Sequence, residues 1–283
     1  MRILFCNKYS VPFSGTEVYL FELMELLRFR GHDVALFSMA EEAGQAPNHY
    51  RTPFIDFKRA GALAKVKLAA HAIYSTDVRR RLRDTIADFR PDIAHVRNIY
   101  HHLSPSILWE FHSQGVPVLY HVNDFKLICP SYNLVAHGEV CNQCRGGQFW
   151  RAMTTGCYEG PRAASAVLVA EVYFHKWLRT YRTCVTKIVA PSEFARQKLV
   201  ENGWDRGRIE VLHHFQKISS NIGSTPPEQA SAVLYFGRLS PEKGLISLLN
   251  AARNLPSIPF VIAGQGPQRF IGQRRKDGEA ACC

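Results

Sequence analysis

What the chain lacks narrows it before any motif is read. No run of apolar residues approaches the roughly 18 needed to cross a bilayer as a helix. The opening MRILFCNKYS holds only a short apolar run before Asn7 and Lys8, too short for the core of a secretory signal. Both absences lead us to expect a cytoplasmic protein, free or peripheral at the inner face of the membrane. Acidic residues are in deficit, with 24 Asp and Glu against 35 Lys and Arg, a formal net charge of +11. That balance suits nucleotide diphosphates or a phospholipid surface, and a plain solvated basic surface suits it equally. No nucleic-acid-binding motif is present, so no nucleic-acid partner is expected. The first apolar run leads into NKYSVPFSGTE without G-x-G-x-x-G, which argues against a dinucleotide-dependent oxidoreductase.

What is present is an alternation of short apolar runs and amphipathic stretches. RILFC reads as a buried parallel strand. A helix follows, with Ser14 and Glu17 at capping-box spacing, Val18, Phe21, Leu23, Leu26 and Leu27 as its apolar face, and Gly31 at its end. DVALFSM, DIAHV, PVLYHV, KIVAP and IEVLHH read as further strands. Helices are expected after Ser104, over Ser165 to Arg182 and from Ser192 to Asn202. This pattern predicts a parallel sheet covered by helices on both faces, with ligands bound beyond the carboxyl ends of the strands. A polar stretch rich in Ser, Gly and Pro, residues 216–231, reads as a linker. AVLYFG, a helix from Pro241 to Asn254, and PFVIAG then begin a second unit, whose last residues carry no apolar period.

Basic side chains gather at Arg79, Arg80, Arg81 and Arg83 and again in FHKWLRTYR, where Lys176, Trp177, Arg179 and Arg182 suit a membrane surface. GRLSPEKG, Gly237 to Gly244, stands where a strand gives way to a helix. Ser240 is placed to cap that helix and Pro241 to open it, so free backbone N–H groups form an anion site, with Arg238 as a planar fork and Lys243 as a point charge for a diphosphate. A simple turn with exposed charges is the alternative.

GRLSPEKG, with VIAGQGP some twenty residues on, APSEFARQKL at Ala190 to Leu199 and PFSGTE at Pro12 to Glu17, resembles the family-4 retaining glycosyltransferases of GT-B fold. The resemblance implies an α/β protein with a complete N-terminal Rossmann-like domain on the acceptor side, residues 1–215, including a Cys-rich insertion over 129–160. An incomplete second Rossmann-like domain for the nucleotide sugar, residues 232–283, then follows. It implies that Arg238 and Lys243 hold the donor diphosphate, with Gly264 and Gly266 nearby, and that Gly15 and Thr16 face the donor phosphates and the acceptor. The partners implied are a nucleotide-diphosphate sugar and a glycan or lipid-linked acceptor, as in polysaccharide assembly, with transfer by retention and no metal required. The family's pair of glutamates, with seven residues between them, does not occur after Gly266. We therefore expect a truncated chain, with a catalytically inactive acceptor- or partner-binding module as the alternative function.

Family members carry a His-Asp pair where this chain has Asn123 and Asp124, with His121 two residues earlier on the same face of its strand. Either His121 takes the polar role near the transferred sugar or Asn123 bonds the sugar and no histidine is needed; a histidine satisfied within the sheet is the bland alternative. Cys129, Cys141, Cys144 and Cys157 follow, the middle two as C-N-Q-C, a pattern that suits a structural zinc site of four thiolates, and also free or redox-active thiols or an iron–sulfur cluster.

Overall fold

The computed structural model describes residues 1–12, 14–39, 49–53, 62–158, 160–215 and 232–269. The linker expected over 216–231 and the end of the chain lie outside the described residues. Two compact units result, Met1–Lys217 and Ile218–Cys283.

In chain order the first unit holds β1 (Arg2–Cys6), α1 (Gly15–Phe29), β2 (Asp33–Met39), β3 (His49–Thr52), α2 (Ala62–Ile73), α3 (Thr76–Phe89), β4 (Ile93–Val96), α4 (Ile107–Ser113) and β5 (Val118–His121). The Cys-rich segment follows, with the hairpin β6 (Val135–Ala136) and β7 (Glu139–Val140) and the short helix α5 (Arg151–Thr155). The unit closes with α6 (Arg162–Trp177), α7 (Thr180–Cys184), β8 (Lys187–Ala190), α8 (Glu193–Glu201) and β9 (Ile209–Val211). The second unit shows β10 (Val233–Phe236), α9 (Leu245–Arg253) and β11 (Phe260–Ala263).

Seven strands of the first unit form one parallel sheet in the order β3-β2-β1-β4-β5-β8-β9. The chain winds outward from β1 in one direction and from β4 in the other, so the strand order reverses between these two neighbours and a crevice opens beyond their carboxyl ends. Apolar strand residues bury on both faces. Leu4, Cys6, Ala35 and Phe37 join one core with α3 and α4, whereas Ile3, Phe5, Val34 and Leu36 join another with Tyr19, Leu20, Leu23 and Met24 of α1. Continuous apolar strands are what a sheet covered on both sides requires.

Several local expectations change. Ser14 takes the extended backbone of a cap, but its hydroxyl bonds the Glu17 carboxylate instead of a backbone N–H. The helix expected over Ser165 to Arg182 starts earlier and breaks at Arg179, which adopts a left-handed backbone (φ 54). The break serves Thr180, whose buried hydroxyl lies 3.0 Å from Trp109 Nε1 and 2.9 Å from His175 Nδ1. The α3 arginines divide their work. Arg79 and Arg83 close on the buried Glu110 carboxylate, while Arg80 and Arg81 meet the exposed Asp77.

In the second unit the helix expected from Pro241 is a single tight turn, Pro241–Lys243; left-handed Gly244 (φ 70) then redirects the chain and α9 begins at Leu245. Ser240 does not cap it, because its hydroxyl donates to Glu242. The two loops beyond β10 and β11 lie backbone to backbone. A Cβ on Gly264 would sit 1.8 Å from the Gly237 carbonyl oxygen, and one on Gly266 would sit 2.2 Å from that of Leu239. Gly264→Ala or Gly266→Ala must therefore push these loops apart, at a cost of about 2 kcal/mol or more. Hydrogen exchange should show loss of protection at Leu239 and along β10 and β11; protection equal to the parent chain would refute the close approach.

Candidate site at the strand switch point

β4 and β5 carry two polar rungs across the sheet. His95 Nε2 and His121 Nδ1 lie 3.2 Å apart, and two residues further along each strand Arg97 Nη2 donates to Asn123 Oδ1. Period-two alternation puts both rungs on the face toward α1. There Tyr19 packs edge-on to His121, its ring 4.8 Å beneath the Arg97 guanidinium carbon, and His214 lies against Tyr19 and His121. Arg97 is wholly buried. No carboxylate among the described residues pairs with it at ion-pair distance.

Burial and the positive field of Arg97 act together on the imidazoles. Desolvation, then Arg97, takes His95 down to about 3 and His121 to about 2, and the same two causes lower His214. All three rings are neutral near pH 7. Arg97 itself falls to about 10, burial outweighing the support of Tyr19 and Glu17.

A cluster of buried polar atoms here has no hydrogen-bond partner among the described residues: Asn7 Oδ1, Tyr19 Oη, Arg97 Nε and Nη1, His121 Nε2 and Asn123 Nδ2. Buried polar groups are bonded in nearly every case, so orphans gathered in one place mark where a ligand or water belongs. Asp124 stands next to them. Tyr100 Oη and the Lys126 N–H both donate to its Oδ1, at 2.8 and 2.9 Å, and no described group bonds its Oδ2. Burial raises the Asp124 carboxyl above its ordinary range, although the Lys126 N–H and the Tyr100 hydroxyl oppose the rise.

Of the residues expected from the sequence, His121, Asn123 and Asp124 come together here. Gly15 and Thr16 open α1, and space above Gly15 is clear within 4 Å of a notional Cβ. Arg238 and Lys243 lie on the second unit, exposed and without an ion pair among the described residues, with Gly264 and Gly266 holding the adjoining loop close. Sequence reasoning missed Arg97, His95, Tyr19 and Tyr100. The alternation applied to His121 and Asn123 would also have paired His95 with Arg97 had it been applied to DIAHVR.

Behind β5, Glu171 of α6 is buried with Lys126 Nζ at 2.9 Å and His101 Nδ1 at 3.3 Å. Lys126 Nζ makes no well-aligned hydrogen bond, so its contact with Glu171 is coulombic. A cavity of about 390 Å³ opens beside this pair, lined also by Phe149, Lys176, Arg179 and Arg182. The four cysteines of the insertion line a separate small cavity. Among the described residues, no three His, Cys, Asp or Glu side chains stand close enough together to hold a metal ion. Cys144 is pushed up to about 12, by burial first and then by Cys129, Cys157 and Cys141.

A family model described as a glycosyl transferase 4-like domain matches residues 14–214, which include α1 and every strand from β2 to β9. The chain belongs to the glycosyl transferase 4-like family. A search of curated proteins finds no match. Among solved structures, this glycosyl transferase 4-like chain is similar to a lipopolysaccharide outer core galactosyltransferase, WaaB, at 13% identity and TM-score 0.52, covering 96% of this chain and 63% of that one. It is similar to the glycotransferase of kitacinnamycin at 13% identity and TM-score 0.53, covering 99% and 68%. For HepE of Anabaena in complex with UDP the values are 15% and 0.52, covering 94% and 61%. At these identities the likeness is one of fold. The chain spans about two thirds of the length of these structures.

Burial opposes the charge on Glu171, but Lys126 and His101 outweigh it and hold the carboxyl at about 2, below its ordinary 4.5. A depressed carboxyl adds stability that is complete above its unfolded value and is lost as pH falls through the folded one. Urea unfolding should show stability dropping between about pH 4.5 and pH 2. Glu171→Gln should be less stable at pH 7 and flatter across that window; an unchanged acid limb would show that the pair contributes nothing.

Proposed function

We propose that this chain is the acceptor-side half, with the beginning of the donor-side half, of an enzyme that transfers a sugar from a nucleoside-diphosphate sugar to a glycan or lipid-linked acceptor, with retention. The observation that carries this is the cluster of orphaned polar atoms at the carboxyl ends of β1, β4 and β5, in a chain of this family. Asn123 Nδ2 is a donor and Asp124 Oδ2 an acceptor, on consecutive residues whose side chains are each held through Oδ1. Such a pair suits neighbouring hydroxyls of a sugar ring. In this proposal Arg97 is a positioning residue that orients Asn123, and neutral His121 acts as a hydrogen-bonding group that carries no charge.

On the donor side, Arg238 and Lys243 are the exposed cations that would meet the diphosphate, and the open first turn of α1 at Gly15 and Thr16 would offer N–H groups to phosphate or acceptor. Arg238 and Lys243 offset the charge developing on the leaving nucleotide, so the step needs no metal in this mechanism. UDP in HepE supports a nucleotide diphosphate as the leaving group by analogy of fold.

The test incubates the chain with a panel of nucleoside-diphosphate sugars and candidate acceptors and follows release of the nucleoside diphosphate. Each charge-assisted bond is worth roughly 1.5–3 kcal/mol, so Arg238→Ala and Lys243→Ala should each weaken donor binding about tenfold or more. Asn123→Ala and Asp124→Asn should lower turnover with donor binding intact. A chain that binds glycan but never releases nucleoside diphosphate is an acceptor-binding module instead.

We further propose peripheral contact with anionic lipid through the basic wall of Lys176, Arg179 and Arg182, beside Trp177, which is 77% exposed. No described helix is long and apolar enough to cross a membrane. Co-sedimentation should require anionic vesicles and weaken with salt, since the screening length is only about 8 Å at physiological ionic strength. Equal binding to neutral vesicles would overturn it.

A further inference from the structure

The segment between β5 and α6 has little to hold it in shape. Its regular structure is a hairpin of two-residue strands, one tight turn at Arg145–Gly147 and the five-residue α5. Val135 and Val140 are exposed, and the buried apolar cluster beneath amounts to Cys144, Phe149, Ala152 and Val169. Tyr132, Leu134 and His137 all adopt left-handed backbone, a conformation that costs a non-glycine residue free energy and persists where the surroundings impose it.

Four cysteines arrive at one point in this segment by four separate local routes. Cys129 sits in the turn that follows β5, its N–H bonded to the Phe125 carbonyl, and Cys141 leaves the hairpin with its N–H on the Leu134 carbonyl. Cys144 precedes the tight turn, and Cys157 follows the left-handed Gly156 that ends α5. All four line one cavity of about 10 Å³, the scale of a single water-sized particle. All four are free thiols.

We propose that Cys129, Cys141, Cys144 and Cys157 bind one zinc ion as a structural tetrathiolate site. C-N-Q-C supplies two ligands at the spacing a tetrahedral ion takes from one turn, and the other two come from the flanks. The thiols stand too far apart as they are to hold an ion, so binding turns them inward on the cavity they already line. Each thiol gives its proton to solvent as its sulfur–zinc bond forms, leaving a centre of net charge −2. Arg145 on the cavity wall is a cation placed to offset that charge, and Lys176 Nζ, packed against Gly147 and over the Phe149 ring, is close to the same turn. No electron moves, and no sulfide or oxidant is needed, unlike an iron–sulfur cluster or a pair of disulfides. The ion would fix an insertion that packing alone leaves underdetermined.

The test is metal analysis of the full chain purified without chelators or metal-affinity resin. The expected result is about one zinc per chain, reduced at least tenfold in the Cys141→Ser/Cys144→Ser variant and unchanged in Cys6→Ser/Cys184→Ser. Should the first variant fail to fold, the metal-free parent titrated with cobalt(II) should develop thiolate-to-cobalt charge-transfer absorption that saturates at one equivalent and is displaced by zinc. Three results would overturn the proposal: parent protein without metal that shows no such absorption, iron with acid-labile sulfide, or disulfides among these four residues in the freshly purified chain.

Discussion

Arg97 brings a positive charge into a place that water does not reach, between the end of β4 and the first turns of α1. A buried charge of this kind costs several kcal/mol unless its surroundings answer it. The answer here is partial: one oxygen of Asn123, the face of Tyr19 and the field of Glu17. Much of the site follows from that partial answer. Arg97 comes second only to burial in keeping His95, His121 and His214 neutral, it fixes which end of Asn123 remains free, and two of its own nitrogens are left without a partner among the described residues.

The opposite side of β5 works by a different means. Lys126 and Glu171 neutralise one another in the interior, tying the loop beyond β5 to α6 across the whole Cys-rich insertion. Asp124 lies between these two arrangements and takes the Lys126 N–H and the Tyr100 hydroxyl on one oxygen. A loop of more than thirty residues can thus be inserted between strand and helix without disturbing the polar end of β5, because both of its stems are fastened independently of what lies between.

The alternation of strands and helices was legible because apolar runs in a doubly covered sheet are continuous, and β1, β2, β4, β5, β8 and β9 fall on the runs read as strands. What was not legible depended on single backbone angles. Left-handed Arg179 splits one expected helix, and Gly244 delays another; neither residue type forbids a helix strongly enough to be read from sequence. The arginines of α3 read from the sequence as a basic cluster, yet two of them serve a buried glutamate about thirty residues away, a contact that no local pattern reveals. For the site, the resemblance directed attention to β5, and the partner strand that completes both rungs was overlooked because each strand was read alone.

The rung between His95 and His121 has a consequence in proton bookkeeping. Two neutral imidazoles joined nitrogen to nitrogen share one proton in the bond between them. If His95 Nε2 carries it, His121 must hold its own proton on Nε2 and presents a donor to the pocket; if His121 Nδ1 carries it, Nε2 is a bare lone pair and presents an acceptor. Changing tautomer reverses the hydrogen-bonding sense of the buried Nε2 with no change of net charge, and the choice is set by whichever group, hydroxyl hydrogen or hydroxyl oxygen, arrives there first.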